Sequence, residues 1–325
     1  MKRLFILLLI SSLSIQAFNQ TIIKSDNSIC NKPIRPSLNK LKEIKTKSKW
    51  FKVFNVGNNV LAIVEPYNYE EVISYLIVGK NKALLFDTGI GVDSISLLVK
   101  QLTDLPIVVV NSHSHYDHIG GNYEFDSVLS LKTDFTIEHS KYGWDHESVK
   151  HEVTQDAICL QNISGLDTAK YAIRPYKISK FIKNGDEIDL GERKISIISV
   201  PGHTPDALAL YDKKNGYLWT GDSYYDGPIY LFAKETDLLS YQKSIKKLAN
   251  ISPLLSKVFP SHNNPITKPL RLIELKANFN KMKNGEVKGQ NDGDNTILYQ
   301  FKHFGFKIDK KNWKIVPKTE KGTKN

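Results

Sequence analysis

Apolar and polar positions along the chain predict short strands first and helices later. β-branched runs at 52–56, 60–64, 72–78 and 83–86 are broken by the turn tripeptides Gly57-Asn58-Asn59 and Gly79-Lys80-Asn81, the pattern of antiparallel hairpins. Between 92 and 102 the apolar positions take up helical spacing, and 106–110, with three consecutive valines, reads as a buried strand. Residues 132–175 are polar and mixed, with helical stretches and no strong strand signal. This segment reads as an insertion over a site that the rest of the chain builds. Strands resume at 194–200, 207–211 and 216–220. An amphipathic helix at 238–249, a short strand at 257–259, a helix at 269–282 and late strands at 296–301 and 304–308 complete the pattern. No short fixed period recurs. Alternating strands and helices with early hairpins point to a layered α/β architecture.

The N-terminus follows a different logic. Lys2 and Arg3 precede an unbroken apolar run at 4–10, extended by Leu13 and Ile15, and Ala17 supplies a small residue for cleavage. Residues 1–17 therefore read as a secretory signal peptide. The run is too short to span a bilayer, and no later segment is a candidate span. The expected location is outside the cytoplasm, periplasmic or secreted. Export permits disulfides, so Cys30 and Cys159 either pair or stand as two separate thiols. Residues 18–50, polar and lysine-rich with Pro33 and Pro36, read as an extended arm before one domain at 51–310.

Composition changes this picture little. At 325 residues, 41% hydrophobic and 24% charged, the chain can bury an ordinary core. The formal charge is +11, or +9 without Lys2 and Arg3. From Lys302 onward eight lysines face only Asp309 and Glu320, so much of the excess lies at the C-terminal end, including the basic tail 311–325. Without interleaved aromatics this reads as a solvated end, not a nucleic-acid groove.

The chemistry lies in the histidines. The block His113-Ser114-His115-Tyr116-Asp117-His118 follows the valine strand directly. Four imidazole or carboxylate groups within six residues are the donor set of a borderline or hard divalent metal. Loops at the carboxyl ends of strands are where open α/β sheets place such sites. Gly120 and Gly121 read as room for a tight turn beneath the ligands. Three single candidates follow, each at a strand end: His203 in Pro201-Gly202-His203-Thr204-Pro205, Asp222 in Thr220-Gly221-Asp222-Ser223, and His262 in Pro260-Ser261-His262-Asn263. One such residue alone is more often structural. Their ordered recurrence after the first block makes them one constellation.

These blocks, with Asp87-Thr88-Gly89 after an earlier strand, resemble the metallo-β-lactamase superfamily across residues 50–265. The resemblance implies a four-layer αββα sandwich with the site at one edge of two facing sheets. It implies His113, His115 and His203 on one metal, Asp117, His118 and His262 on a second, and Asp222 bridging them. Asp87 would support the loops without being a ligand. The implied cofactor is two zinc ions, although iron or manganese also accept nitrogen and oxygen donors. A zinc-activated hydroxide, oriented by Asp117, would cleave an ester, lactone, lactam or phosphoester. A secreted β-lactamase proper is one alternative, and a mononuclear-iron enzyme resembling persulfide dioxygenases is another. Flavodiiron proteins carry Glu where His115 stands, which argues against that branch.

Tyr224, Tyr225 and Tyr230 follow the bridging aspartate and are candidate proton donors, and Asn263 is a candidate substrate contact; packing is the other reading of each. His139, His146 and His151 fall in the insertion and read as surface histidines. The expected partner is a small-molecule substrate, with no nucleic acid and no stable membrane span. Oligomeric state has no signature in the sequence.

Overall fold

The computed structural model describes residues 29–311. Residues 1–17, read above as a signal peptide, and the tail beyond Lys311 lie outside the described residues. The first sheet holds eight strands in chain order: β1 (Lys42–Ile44), β2 (Lys52–Gly57), β3 (Val60–Val64), β4 (Ile73–Val78), β5 (Ala83–Phe86), β6 (Ile107–Val110), β7 (Val128–Leu131) and β8 (Lys180–Ile182). Pairing is antiparallel through β5 and parallel from β5 to β8. The second sheet contains β9 (Glu187–Asp189), β10 (Lys194–Ser199), β11 (Leu208–Asp212), β12 (Tyr217–Gly221) and β14 (Lys257–Pro260), with β14 parallel beside β12. A smaller sheet joins β13 (Gly227–Leu231) to β17 (Phe304–Asp309), β16 (Thr296–Gln300) and β15 (Gln290–Asn291).

The period-two alternation of the early strands explains the layering. Val60, Ala62 and Val64 of β3, Tyr75 and Ile77 of β4, and Leu84 and Phe86 of β5 face Ile195, Ile197, Leu208, Leu210, Trp219 and Phe259 of the second sheet. The intervening residues Ile63, Leu76 and Leu85 pack outward against Ile95, Leu98 and Val99 of helix α1 (Ile95–Leu102). Short helices α2 (Tyr116–Ile119), α3 (Asp134–Tyr142) and α4 (His146–Val149) follow. On the far side Ala209, Leu218 and Val258 meet Tyr241, Ile245 and Leu248 of α5 (Leu238–Ile251) and Leu272, Leu275 and Phe279 of α6 (Leu270–Lys283). Helices therefore cover both outer faces of two packed sheets, the αββα arrangement. No helix among the described residues is long and apolar enough to cross a membrane.

The arm is more structured than its composition predicts. β1 pairs with β2 as an edge strand, and Trp50 is fully buried with its Nε1–H donating to Glu65 at 2.7 Å. Cys30 and Cys159 form a disulfide across 129 residues of sequence. Beside it Lys32 and Arg35 pair with Glu71, and Arg35 also donates to Asn263.

Candidate metal centre

Four strands deliver the predicted ligands to one edge of the sandwich. β6 of the first sheet runs into His113 and His115, and α2 then carries Asp117 and His118. From the second sheet, β10 leads to the His203 loop, β12 to Asp222 and β14 to His262. His113, Asp117, His118, His203, Asp222 and His262 are buried, while His115 is only partly covered. Gly120 has an ordinary helical φ of −57°, so its role is not the tight turn that the sequence suggests. Its need is for space: a Cβ there would stand 2.4 Å from the carbonyl carbon of Ile90. The loop bearing Asp87 and the ligand loop thus touch backbone to backbone.

The donor atoms fall into two groups that share one residue. His115 Nδ1 lies 3.0 Å from both His113 Nε2 and His203 Nε2. His118 Nε2 and His262 Nε2 lie 3.0 and 3.4 Å from Asp117 Oδ2. Asp222 reaches into both, with Oδ2 3.7 Å from His203 Nε2 and Oδ1 3.2 Å from His262 Nε2. Donors about 2.0–2.1 Å from a tetrahedral ion are separated from each other by about 3.3 Å, and these spacings bracket that figure.

The other nitrogen of every ring is anchored, and where the partner is a carbonyl or carboxylate it fixes the lone pair that faces the site. His203 Nδ1 donates to the carbonyl of Tyr230, and His262 Nδ1 donates to that of Glu70, both at 2.8 Å. Because a carbonyl only accepts, the proton of each neutral ring sits on Nδ1 and Nε2 carries the lone pair. His118 Nδ1 meets Asp87 Oδ2 at 3.0 Å, and His113 Nδ1 meets Ser112 Oγ at 2.9 Å. His115 is reversed: its Nε2 contacts Glu235 Oε1 at 2.6 Å and leaves Nδ1 inward.

Two buried atoms test whether a cation fits. His118 Nε2 and Asp222 Oδ1 have no hydrogen-bond partner, although carboxylate oxygen or imidazole nitrogen stands within reach. The donor atoms of His113, His115 and His203, of His113, His118 and Asp222, and of Asp117, His118 and His262 each gather within 4.8 Å of one another. Buried polar atoms normally find partners, so this convergence fits a metal ion in each group. The two groups differ in their electrostatics. Burial depresses His203 to about 4, and the neighbouring His115 adds to the effect. Burial and the surrounding imidazoles depress His113 as well. Burial opposes charge on His118 and His262, but the carboxylates around them prevail, raising His118 well above its ordinary value and His262 to about 9. Asp117 and Asp222 stay ionised despite burial because imidazoles face them.

The remaining predicted residues are placed differently. Tyr224 Oη donates to Asp226, and its ring packs on Phe304. Tyr225 Oη donates to the carbonyl of Pro228 and accepts from the amide of Tyr230, while its ring lies against His262. Asn263 donates to the carbonyl of Asp226 and accepts from Arg35. His139 is buried, not a surface histidine: it stacks on Trp144 with ring centres 3.9 Å apart. His146 is half-buried on the carbonyl of Tyr171, and His151 is exposed beside the hydroxyl of Tyr116. Phe135 and Trp144 of the 132–175 segment pack on His115, and Trp144 Nε1–H donates to the carbonyl of Ser114.

Two supporting carboxylates escaped the sequence reading. Asp206 accepts from Ser114, Thr136 and Thr204, tying the first ligand loop, α3 and the His203 loop together. Its only signal is a position three residues after His203. Glu235 has none, since it belongs to no strand end and no repeated pattern.

The comparisons agree with this geometry. The family model of the metallo-beta-lactamase superfamily matches residues 70–262. The chain is 24% identical to the acyl-coenzyme A thioesterase MBLAC2 of Homo sapiens, over 71% of this chain and 87% of that protein. It is 26% identical to the probable metallo-hydrolase YqjP of Bacillus subtilis (strain 168), over 69% and 76% of the two chains. Among solved structures, an archaeal metallo-beta-lactamase superfamily protein from Sulfolobus tokodaii superposes with a TM-score of 0.52 at 19% identity, covering 73% of this chain and 91% of that one. That likeness concerns the fold alone.

Proposed function

This chain belongs to the metallo-beta-lactamase superfamily and is a metallo-hydrolase, and we propose that its substrate is an acyl thioester, cleaved at a dinuclear zinc centre. The observation that carries the dinuclear reading is Asp222, whose two oxygens serve separate donor groups. In this reading His113, His115 and His203 hold one ion, Asp117, His118 and His262 hold the other, and Asp222 belongs to both. The nitrogen and oxygen donors suit zinc, with iron or manganese as alternatives. Bound there, the ions supply Lewis acidity and bring the pKa of water toward neutrality.

The chain's own residues do the rest. Asp117, held ionised among imidazoles, accepts a hydrogen bond from the attacking water and orients it. Water adds to the acyl carbon, the carbon–sulfur bond breaks, and the products are a carboxylic acid and a thiol. A thiol of pKa about 8.5 departs as thiolate without prior protonation. Alkoxide and amide leaving groups demand a proton donor, and of the three candidate tyrosines Tyr224 and Tyr225 have their hydroxyls engaged elsewhere, which leaves Tyr230 alone for that role. The thioester reading therefore asks least of this site, and the likeness to acyl-coenzyme A thioesterases supports it.

We also propose that the chain acts after export, with residues 1–17 as the signal peptide. The disulfide between Cys30 and Cys159 supports that reading, because such bonds persist in oxidising compartments.

The test is thiol release from acyl-coenzyme A esters of graded chain length by zinc-loaded protein, run beside a chromogenic cephalosporin and an aryl lactone, each with a chelator control. Chelator-sensitive thiol release with kcat/KM of about 10⁴ M⁻¹s⁻¹ or more supports the proposal. Comparable turnover of the cephalosporin or lactone alone would overturn the thioester reading.

A further inference from the structure

We propose that Glu235 is a positioning residue that turns His115 so that Nδ1, not Nε2, faces the metal position shared with His113 and His203. The inference rests on the metal-centre reading above. The contact between Glu235 Oε1 and His115 Nε2, at 2.6 Å, is shorter than the outer-nitrogen contact of any of the other four rings. An imidazole that donates from Nε2 presents a bare lone pair at Nδ1. His115 is also the partly exposed ring of the five, with 14% of its side chain accessible, so burial alone does not choose its orientation.

The loop that carries Glu235 makes the contact a coupling between two ligands. Residues 232–237 connect β13 to α5 and are docked onto the His203 loop. Thr236 Oγ1 donates to the carbonyl of His203 at 3.1 Å, and the amide of Asp237 donates to the carbonyl of Gly202 at 2.8 Å. Asp237 then caps α5 by accepting from the amides of Leu239 and Ser240. At Gly202, where φ is +142°, a Cβ would stand 2.3 Å from the Cα of Tyr241, so this loop and α5 meet without a gap. Glu235 is therefore held in register with His203 while it grips His115. Across the ring, Phe135 and Trp144 close the other side at 5.9 and 6.2 Å between centres.

The arrangement mirrors the partner position. There His118 is backed by the carboxylate of Asp87, which is fully buried. Each donor group thus contains one carboxylate-backed imidazole, but Glu235 stands at the solvent edge, with 19% of its side chain accessible.

The experiment is competition for Zn²⁺ between a chromophoric chelator and the full chain, for wild type, Glu235→Gln, Glu235→Leu, His115→Ala and the Glu235→Leu/His115→Ala pair. Loss of the carboxylate in Glu235→Leu should weaken one equivalent about 10–100-fold and leave the other unchanged. Glu235→Gln, which keeps an acceptor oxygen, should lose less. The weakened equivalent should be the one that His115→Ala removes, and Glu235→Leu should add nothing in that background. The electronic spectrum of the Co²⁺-loaded protein should change in Glu235→Leu, a readout that a general packing defect would not supply. Wild-type affinity at both equivalents in Glu235→Leu would overturn the assignment, as would an equal loss with and without His115. Wild-type protein that takes up no zinc would overturn the metal-centre reading and this inference together.

Discussion

Asp87 holds His118 through a 3.0 Å contact between Oδ2 and Nδ1, at a place where neither side chain is exposed to solvent. Asp87 itself sits in the left-handed region at φ +65°, which aspartate tolerates better than most residues. It also accepts from the amide of Ser112 and the hydroxyl of Ser261, so one carboxylate ties the first ligand loop to the last. Asp87→Ala should therefore weaken metal binding about 10–100-fold and destabilise the metal-free fold by about 1–3 kcal/mol per stranded donor. Asp87→Asn should recover most of the stability but less of the metal affinity. Zinc titration beside urea unfolding separates the two effects, and unchanged affinity in both variants would remove Asp87 from the account of the centre.

Asp222→Ala removes a donor from both groups at once. Occupancy of both positions should fall, and activity should drop by more than the roughly hundredfold typical of a supporting residue. Full retention of two zinc equivalents, read by metal analysis after dialysis, would contradict its shared position.

The N-terminal arm acts at a distance from its own sequence. Cys30 is bonded to Cys159, and Arg35 reaches Glu71 and Asn263, the neighbours of Glu70 and His262. Since the carbonyl of Glu70 orients His262, loosening the arm should weaken the second donor group as well as the fold. Cys159→Ser should cost about 2–5 kcal/mol in unfolding free energy, because the bond closes a long loop in the unfolded chain. Matching denaturation curves with and without reductant would sink this prediction.

Glu65 should make stability depend on pH. Its carboxyl is buried, and burial pushes it up to about 8 against hydrogen bonds from Trp50 and Ile90. In the unfolded chain it ionises near its ordinary value of 4.5. Between these values the folded state keeps a proton that the unfolded state has released. The contribution is therefore complete below about 4.5, declines as pH rises and is lost above about 8. Glu65→Gln keeps an acceptor for Trp50 and removes the titration. Urea unfolding of metal-free protein across this range should show a flatter profile for the variant; parallel profiles would count against it.

The chain's local patterns were enough for its long or strongly apolar elements. Val60–Val64 and Ala83–Phe86 are unbroken apolar runs because both faces are buried, one against the second sheet and the other toward α1. Lys42–Ile44 and Lys180–Ile182 carry too few residues to show a period, and Gly227–Leu231 opens on Gly227-Pro228, which reads as a turn. They exist because neighbouring strands offer hydrogen bonds. The small sheet shows this directly: β13 pairs with β17, 77 positions later in register from Gly227 to Phe304.

The sequence by itself singled out the candidate donor set, because His113, His115, Asp117 and His118 crowd one loop and His203, Asp222 and His262 recur at strand ends. It determined the layered architecture, since period two and period 3.6 are local properties of a chain. Only the tertiary structure decided which nitrogen of each ring faces inward. That choice belongs to outer partners such as Tyr230, Glu70 and Glu235, which lie 27, 192 and 120 residues away from the rings they hold. It likewise decided that Cys30 pairs with Cys159, that His139 is stacked beneath Trp144, and that the hydroxyls of Tyr224 and Tyr225 are spent within the protein. Hydrogen-bond partners across such separations leave no periodic trace along a chain; they exist only once packing has brought the elements together.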